Sequence, residues 1–316
     1  FEKYLEDELN IYKIKTYQSG DGFCLSESDF TDFNKLSFPH YVLKNPVKIT
    51  EESVNLLAGA IFDKFGEHIK DKQITEKYPV MFSYSQSLLN ISDRLNSVKK
   101  QFMKILSKKM SKVSKFADLD DDSGSNLGVF VYFIDFNTVF LSFDFFHNGQ
   151  KRMFFDKFAP SRSYLKVEEA YSVFNFEPKE NDKIVDLGAA PGGWSYSAAK
   201  RGAVVYAVDN GPLKDGALNN EKIIHLKEDG IKYKPKHKFD FLFCDIIEQP
   251  KIIQSMLQKW IENKWCDKFI VNLKFGRTNP TEIIKEITDK NSFLNKNCSY
   301  LKLIHLYHDR EEFTLG

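Results

Sequence analysis

No apolar run in this chain reaches the roughly 18 residues that a membrane-crossing helix needs, so a helical span is not expected. Cysteine is scarce. Cys24, Cys244, Cys266 and Cys298 form no Cys-x-x-Cys pair, and no histidine stands at a zinc-ligand spacing from them. That pattern predicts reduced thiols in a cytoplasmic protein, with neither a metal site nor a disulfide scaffold. Net charge is only +1, from 45 basic and 44 acidic residues. A nucleic-acid ligand would need a local basic face, because bulk charge supplies no attraction. The start, Phe1-Glu2-Lys3-Tyr4, has no Met and no apolar core of an export signal. It predicts a chain that begins inside a longer one and is not exported.

Aromatic residues, by contrast, are abundant, with 29 Phe among 316 residues. That suits packed sheets, and the length permits two or three domains. From about Lys183 onward, short apolar runs alternate with helical patterns. Strands are predicted at 183–187, 203–208, 223–226, 239–244, 269–273, 302–307 and 312–315, with helices at 194–200, 250–263 and 281–289. Apolar strands separated by helices imply an α/β fold whose mainly parallel sheet is covered on both faces. The last two runs are joined by Tyr307-His308-Asp309-Arg310-Glu311, which predicts an antiparallel terminal hairpin. His305 and His308 are expected to serve that hairpin rather than a metal.

The earlier part reads as α+β. Residues 1–45 form a small unit, and 51–66 and 91–116 show helical periodicity. In the second helix Leu95, Val98, Phe102, Leu106, Met110 and Val113 make an apolar stripe. From Arg94 to Lys115 it carries eight basic residues and no acidic ones, Lys104 and Lys108 among them. An acidic segment at 118–128 breaks the pattern, and 129–146 reads as two strands joined at Asp135-Phe136-Asn137. Ala159-Pro160-Ser161-Arg162-Ser163 marks a boundary near residue 158.

The run Asp186-Leu187-Gly188-Ala189-Ala190-Pro191-Gly192-Gly193-Trp194 places a glycine turn between a strand and a helix. Such turns let backbone approach a ligand at the carboxyl ends of strands. The spacing is G-x-x-x-G-G, not the G-x-G-x-x-G of dinucleotide sites, which disfavours a nicotinamide-linked oxidoreductase. Asp186 suits a cation, Asp209 at the next strand end suits ribose hydroxyls, and Asp229 after the third suits an adenine amino group. Together they fit S-adenosylmethionine, with Gly188, Ala189, Pro191, Gly192, Gly193 and Trp194 around it. Singly, each aspartate also fits a turn or helix cap.

This run resembles motif I of FtsJ-like ribose methyltransferases, a family that uses a Lys-Asp-Lys-Glu tetrad. The resemblance places the tetrad at Lys166 (Ser161-Arg162-Ser163-Tyr164-Leu165-Lys166), Asp245 (Phe243-Cys244-Asp245), Lys274 (Val271-Asn272-Leu273-Lys274) and Glu312 (Arg310-Glu311-Glu312-Phe313). Asp245 also counts with the cofactor residues. Glu311 stays open as the alternative to Glu312, since adjacent strand residues face opposite sides. Longer stretches resemble the bacterial ribosomal RNA large subunit methyltransferase M family: APSRSYLKVEEA at 159–170, VDNGP at 208–212, KEDG at 227–230, NKWC at 263–266 and LYHDREE at 306–312. The likeness is dense from about residue 158 and thin before it. Where that family has Pro-Met-Lys after the tetrad lysine, this chain has Phe275-Gly276-Arg277.

The resemblance implies a Rossmann-like methyltransferase domain at 159–316, a THUMP-like RNA-binding domain at 46–158 and a ferredoxin-like unit at 1–45. It implies 2'-O-methylation of a cytidine ribose in the peptidyl-transferase region of large-subunit ribosomal RNA. Arg162, Ser163, Arg310, Lys104 and Lys108 are the expected RNA contacts. A 2'-hydroxyl must lose its proton as it attacks the methyl in line. A lysine can accept that proton only when neutral, well below its ordinary pKa of about 10.4. Burial and a second ammonium push it that way, whereas carboxylates oppose. Lys274 is therefore expected as proton acceptor, oriented by Lys166, Asp245 and Glu312. A base methyltransferase fits less well: amino methylation uses Asn/Asp-Pro-Pro-aromatic where this chain has Asp245-Ile246-Ile247-Glu248. Cytosine C5 methylation needs a cysteine nucleophile, and Cys244 lies inside a strand. An RNA-binding or ribosome-assembly protein with a relic fold is a third reading, which the intact tetrad disfavours.

Overall fold

A computed structural model of the protein describes residues 2–85, 87–119, 124–276 and 278–316. Phe1, Arg277 and residues 120–123 of the acidic segment lie outside the described residues. The chain divides into two compact units, one of residues 1–33 and 39–149, the other of residues 34–38 and 150–316.

In the first unit, Tyr41–Lys44 and Val47–Thr50 both pair antiparallel with Thr138–His147, which pairs with Gly124–Phe133. Tyr78–Tyr84 runs parallel to Gly124–Phe133 on its other side. Helices Val54–Ile69 and Ser92–Lys109 supply Leu57, Ile61, Val98, Phe102 and Leu106 to a core shared with Val129, Val131 and Leu141. The apolar stripe thus faces inward as its spacing predicts. The single helix expected over 91–116 is instead two, because Met110 leaves helical geometry (φ −135°, ψ 57°) before Ser111–Ser114. Arg94 also departs from the basic face. It is buried, donates to the carbonyls of Glu51 and Glu52 and to Asn137 Oδ1, and lies over the Phe136 ring.

The second unit is built on seven strands: β1 (Lys183–Leu187), β2 (Val204–Val208), β3 (Ile223–Leu226), β4 (Phe239–Cys244), β5 (Cys266–Lys274), β6 (Leu303–Ile304) and β7 (Glu312–Leu315). Their order is β3-β2-β1-β4-β5-β7-β6. The first five are parallel and β7 is antiparallel to both β5 and β6. Helices α1 (Tyr164–Phe174), α2 (Gly193–Lys200), α3 (Pro250–Glu262) and α4 (Pro280–Thr288) accompany them. Ile184, Val185, Leu242 and Phe243 are wholly buried, which is why the central strands read as continuous apolar runs. Helix α3 starts with Pro250 and buries Ile253, Met256, Leu257 and Trp260 at helical spacing. The direction of strand succession reverses between β1 and β4, so the loops leaving their paired carboxyl ends part to either side and open a crevice.

The expected cuts at residues 45 and 158 differ from the two units found. Residues 41–50 belong to the first unit because both their strands pair with Thr138–His147. Residues 151–158 belong to the second: Lys151 N donates to Glu169 Oε1, Met153 N to His308 Nε2, and Asp156 accepts from Tyr196 and Lys200. Substituting Phe102→Ala should cost about 3–5 kcal/mol, read as a lowered denaturant midpoint. A loss below about 1 kcal/mol would contradict the packing of that helix.

Candidate active site

The glycine turn follows β1 at the crevice. Gly188 adopts φ +75° and Gly192 φ +108°, and a side chain at either would collide, with Ile246 and Ala217 respectively. Both positions therefore bring neighbouring chain as close as backbone permits. Two loops are fastened to the turn. Asp209 Oδ2 accepts from Ala190 N (3.0 Å) and its Oδ1 from Gly211 N (2.7 Å). Gly230, next to Asp229, comes so near that a side chain there would crowd Ile246 and the Gly188 amide. Beneath the turn Asp186 is almost wholly buried and accepts from Ser195 Oγ at 2.6 Å. Burial pushes its carboxyl up to about 7, outweighing that hydrogen bond, and the nearby Asp245 charge adds to the rise.

At the same end of the sheet the four candidate tetrad residues meet. Lys166 comes from the first turn of α1, Asp245 directly follows β4, Lys274 ends β5 and Glu312 opens β7. The antiparallel register sets Lys274 opposite Glu312. Lys274 Nζ reaches Asp245 Oδ1 at 2.5 Å and Glu312 Oε2 at 2.8 Å; Lys166 Nζ reaches Glu312 Oε1 at 2.8 Å and Asp245 Oδ2 at 3.3 Å. Glu311 is exposed and stands outside the cluster.

Burial alone would lower the Lys274 ammonium, but the carboxylates of Asp245 and Glu312 outweigh it and hold it above the ordinary lysine value. The expectation of a partly neutral lysine is therefore corrected for this state of the site, because two contacting anions beat desolvation. Burial likewise would raise Glu312, and Lys166 and Lys274 bring it below the usual carboxylate range.

Behind the cluster lies a buried polar network that sequence reasoning missed. Asn272 Nδ2 donates to Asp245 Oδ1 (3.0 Å) and, more loosely, to Glu312 Oε2 (3.4 Å). Thr314 Oγ1 lies 2.8 Å from Asn272 Oδ1 and 3.0 Å from Asp309 Oδ2. Asn272 shares a strand face with Lys274, two residues on, and that alternation was the available signal. Asp309 is buried, and burial with the Glu312 charge holds its carboxyl well above the ordinary range. Glu169, also buried, accepts from the amides of Lys151, Tyr307 and His308, and burial pushes it up to about 7.

Residues 159–283 match the model of the FtsJ-like methyltransferase family. The second unit carries an FtsJ-like methyltransferase domain. Among relatives, the ribosomal RNA large subunit methyltransferase M of Histophilus somni (strain 129Pt) is 39% identical over 211 residues, covering 60% of this chain and 58% of its own. The protein of that name from Aggregatibacter aphrophilus (strain NJ8700) is 38% identical over 204 residues, covering 58% and 56%. The chain thus spans little more than half the length of the relatives it matches. The magnesium protoporphyrin IX methyltransferase of Synechocystis PCC 6803, solved with bound SAM, overlays 49% of this chain and 76% of its own at 14% identity, with a TM-score of 0.33. At that score the strand order, not the overlay, argues the fold.

The FtsJ-like domain is of the S-adenosylmethionine-dependent kind, and the residues at the turn fit that group. Gly188 and Gly192 make a cradle closed to side chains, and Asp186 is a buried acid that a nearby cation would favour in its charged form. Gly188, Ala189, Pro191, Gly192 and Gly193 form the turn itself. Trp194 does not line it: it is buried against Phe243 and donates through Nε1 to the Ser163 carbonyl. Asp229 is exposed, accepts from Ile231 N and pairs with Lys232. Ser163 is likewise tied down, its hydroxyl 2.7 Å from that of Ser161. Arg162 and Arg310 are exposed in this unit, and Lys104 and Lys108 are exposed in the other. His305 Nε2 meets the Arg310 carbonyl within the hairpin region, and His308 Nε2 accepts from Met153 N in the segment before α1. Among the described residues no helix is long and apolar enough to cross a membrane, and no cluster of His, Cys, Asp and Glu could hold a metal.

Because Asp186 is raised to about 7, part of it is protonated near neutrality. A cation bound beside it favours the carboxylate, so S-adenosylmethionine affinity should rise from pH 6 to pH 8 with net proton release. Calorimetric titration in buffers of different ionisation enthalpy measures this. Affinity that stays flat, with no proton released, would remove Asp186 from the cofactor's surroundings.

Proposed function

We propose that this protein is an S-adenosylmethionine-dependent ribose 2'-O-methyltransferase of large-subunit ribosomal RNA, its target a cytidine in the peptidyl-transferase region. The observation that carries the reading is the closed cluster of Lys166, Asp245, Lys274 and Glu312 beside the glycine turn. The names of the relatives support the RNA class. A substrate of that kind puts the protein in the cytoplasm.

In the proposed mechanism the turn from Gly188 to Gly193, fastened by Asp209, holds the cofactor, which supplies an activated methyl when bound. Lys166, Asp245 and Glu312 fix the position and direction of Lys274 Nζ, the proton acceptor for the 2'-hydroxyl. To act so, Lys274 must first give up its own proton. Reaching the neutral form at pH 7.5, three units below the ordinary value of 10.5, costs at least about 4 kcal/mol at 1.36 kcal/mol per unit. Lys166 and the positive charge of the donor both reduce that cost once substrate excludes water. The same geometry disfavours the base-methylating alternative. Cys244 is fully buried and burial pushes its thiol up to about 12, so it offers no thiolate for attack on a pyrimidine. The relic reading is disfavoured because all four tetrad side chains are present and in contact.

The exposed Arg162 and Arg310, with Lys104 and Lys108 on helix Ser92–Lys109, are proposed to neutralise RNA phosphates, which makes binding weaken with salt. The first unit is proposed to serve as a THUMP-like RNA-binding region.

Labelled methyl from S-adenosylmethionine should appear on ribose 2'-oxygen of undermodified large-subunit RNA; label on a base would overturn the reading. Lys274→Ala should lower turnover about 10²–10⁴-fold while cofactor affinity changes little, and near-normal turnover would strip Lys274 of its role. Because Lys274 is held above its ordinary value, log kcat should climb with pH toward unit slope between pH 6 and pH 9. A profile flat across that range would place the proton elsewhere.

A further inference from the structure

Residues 151–158, Lys-Arg-Met-Phe-Phe-Asp-Lys-Phe, lead into α1 and expose three aromatic rings: Phe154 is 95%, Phe158 58% and Phe155 50% accessible. A mobile surface strand would explain nothing by this, but the segment is held along its length. Lys151 N donates to the buried Glu169 and Met153 N to His308. The Met153 side chain packs on Ala159, Tyr164 and Leu165. Asp156 takes the Tyr196 hydroxyl (3.1 Å) and Lys200 Nζ (2.7 Å), and Gly216 N donates to the Phe158 carbonyl (2.9 Å). The backbone is therefore tethered at several points, and Phe154 and Phe155 stay outside the small core that Met153 enters.

Cations alternate with the rings. Lys151, Arg152 and Lys157 are exposed, Arg162 follows, and Lys157 Nζ sits 4.9 Å from the centre of the Phe158 ring. The segment's one acid, Asp156, is already paired with Lys200. Arg152 and Arg162 lie close enough to His308 for their charges to add to burial in lowering it. The segment also borders the proposed site on both sides. Glu169 is one turn beyond Lys166 on α1, and Gly216 adjoins Ala217, against which Gly192 is packed. A face built for another protein, or for a second copy of this chain, would present apolar groups with few charges at its centre. Exposed rings interleaved with cations on a tethered backbone instead match unstacked bases joined by phosphates.

We propose that Phe154, Phe155 and Phe158, with Lys151, Arg152, Lys157 and Arg162, form a stacking platform for single-stranded RNA flanking the nucleotide to be methylated. The proposal rests on the RNA methyltransferase reading above and adds which part of the catalytic unit grips the unpaired strand. It accounts for large rings left in water on a tethered segment that leads into α1. Stacking reads no sequence, so the platform holds the strand while the tetrad acts on whichever ribose is presented.

The test uses the whole chain and the double variant Phe154→Ala/Phe158→Ala. A fluorescent single-stranded oligoribonucleotide, its duplex counterpart, S-adenosylmethionine affinity and solution mass are the measurements. The double variant should bind the single strand about tenfold or more weakly, with cofactor affinity and thermal midpoint unchanged, since both rings are exposed. Phe154→Trp/Phe158→Trp should restore binding, and Phe154→Leu/Phe158→Leu, apolar but unable to stack, should not. Unchanged single-strand affinity overturns the platform, as does an equal loss for duplex, or full rescue by leucine. A drop from dimer to monomer with RNA affinity intact also overturns it, in favour of self-association. The binding measurement needs no turnover, so it decides the platform even if labelled methyl never reaches RNA, an outcome that would overturn the methyltransferase reading alone.

Discussion

Lys274 faces Glu312 across the antiparallel ladder of β5 and β7, and the remainder of the site depends on that pairing. A slip of one residue would send the Glu312 carboxylate to the other face of the sheet, and a parallel last strand would carry it to the opposite end. The same register sets Asn272 opposite Thr314, so that the polar network behind the cluster is a second cross-strand pair in the same ladder. Asp245, at the end of β4, and Lys166, from α1, complete a ring in which each ammonium touches both carboxylates.

Two positive and two negative groups in a largely buried space are tolerated because none lacks a partner. Taking one away would strand an unpaired charge at a cost of about 3–5 kcal/mol. The carboxylates that make the ring stable are the same groups that hold Lys274 protonated. The pairing that stabilises the ring therefore also keeps the neutral form of Lys274 scarce. Around the ring the chain places buried acids with raised pKa, Asp186, Asp309 and Glu169, each bound to hydroxyls or amides and not to cations. They shape the loops that carry the site: Asp186 ties the turn to α2, while Glu169 and Asp309 hold residues 306–309.

Much of this was legible beforehand wherever a local rule governs. Strands 183–187 and 239–244 were placed to the residue because buried parallel strands are apolar runs bounded by polar turns, and the edge strand 223–226 and the antiparallel strand 312–315 were also placed to the residue. The glycine turn was legible because only glycine tolerates the backbone at Gly188 and Gly192. Residues whose role depends on distant neighbours were misread. Arg94 was counted among the eight cations of its helix, yet the carbonyls of Glu51 and Glu52 bind it in the interior. Trp194, adjacent to the turn in sequence, faces the core because one residue of helix rotates the side chain by about 100°. The helix over 91–116 breaks at Met110 with no proline or glycine to announce it.

By itself the sequence determined the alternation of strands and helices, the glycine turn, and the residue types that could do methyl-transfer chemistry, since each follows from local backbone preference or side-chain chemistry. Tertiary structure alone decided that Lys166, Asp245, Lys274 and Glu312 meet, that Glu312 and not Glu311 faces them, and that Asn272, Thr314 and Asp309 stand behind. It also decided that Lys274 rests charged. Those are properties of distance and burial between strands far apart in the chain, and no local pattern encodes a Coulomb interaction across a sheet.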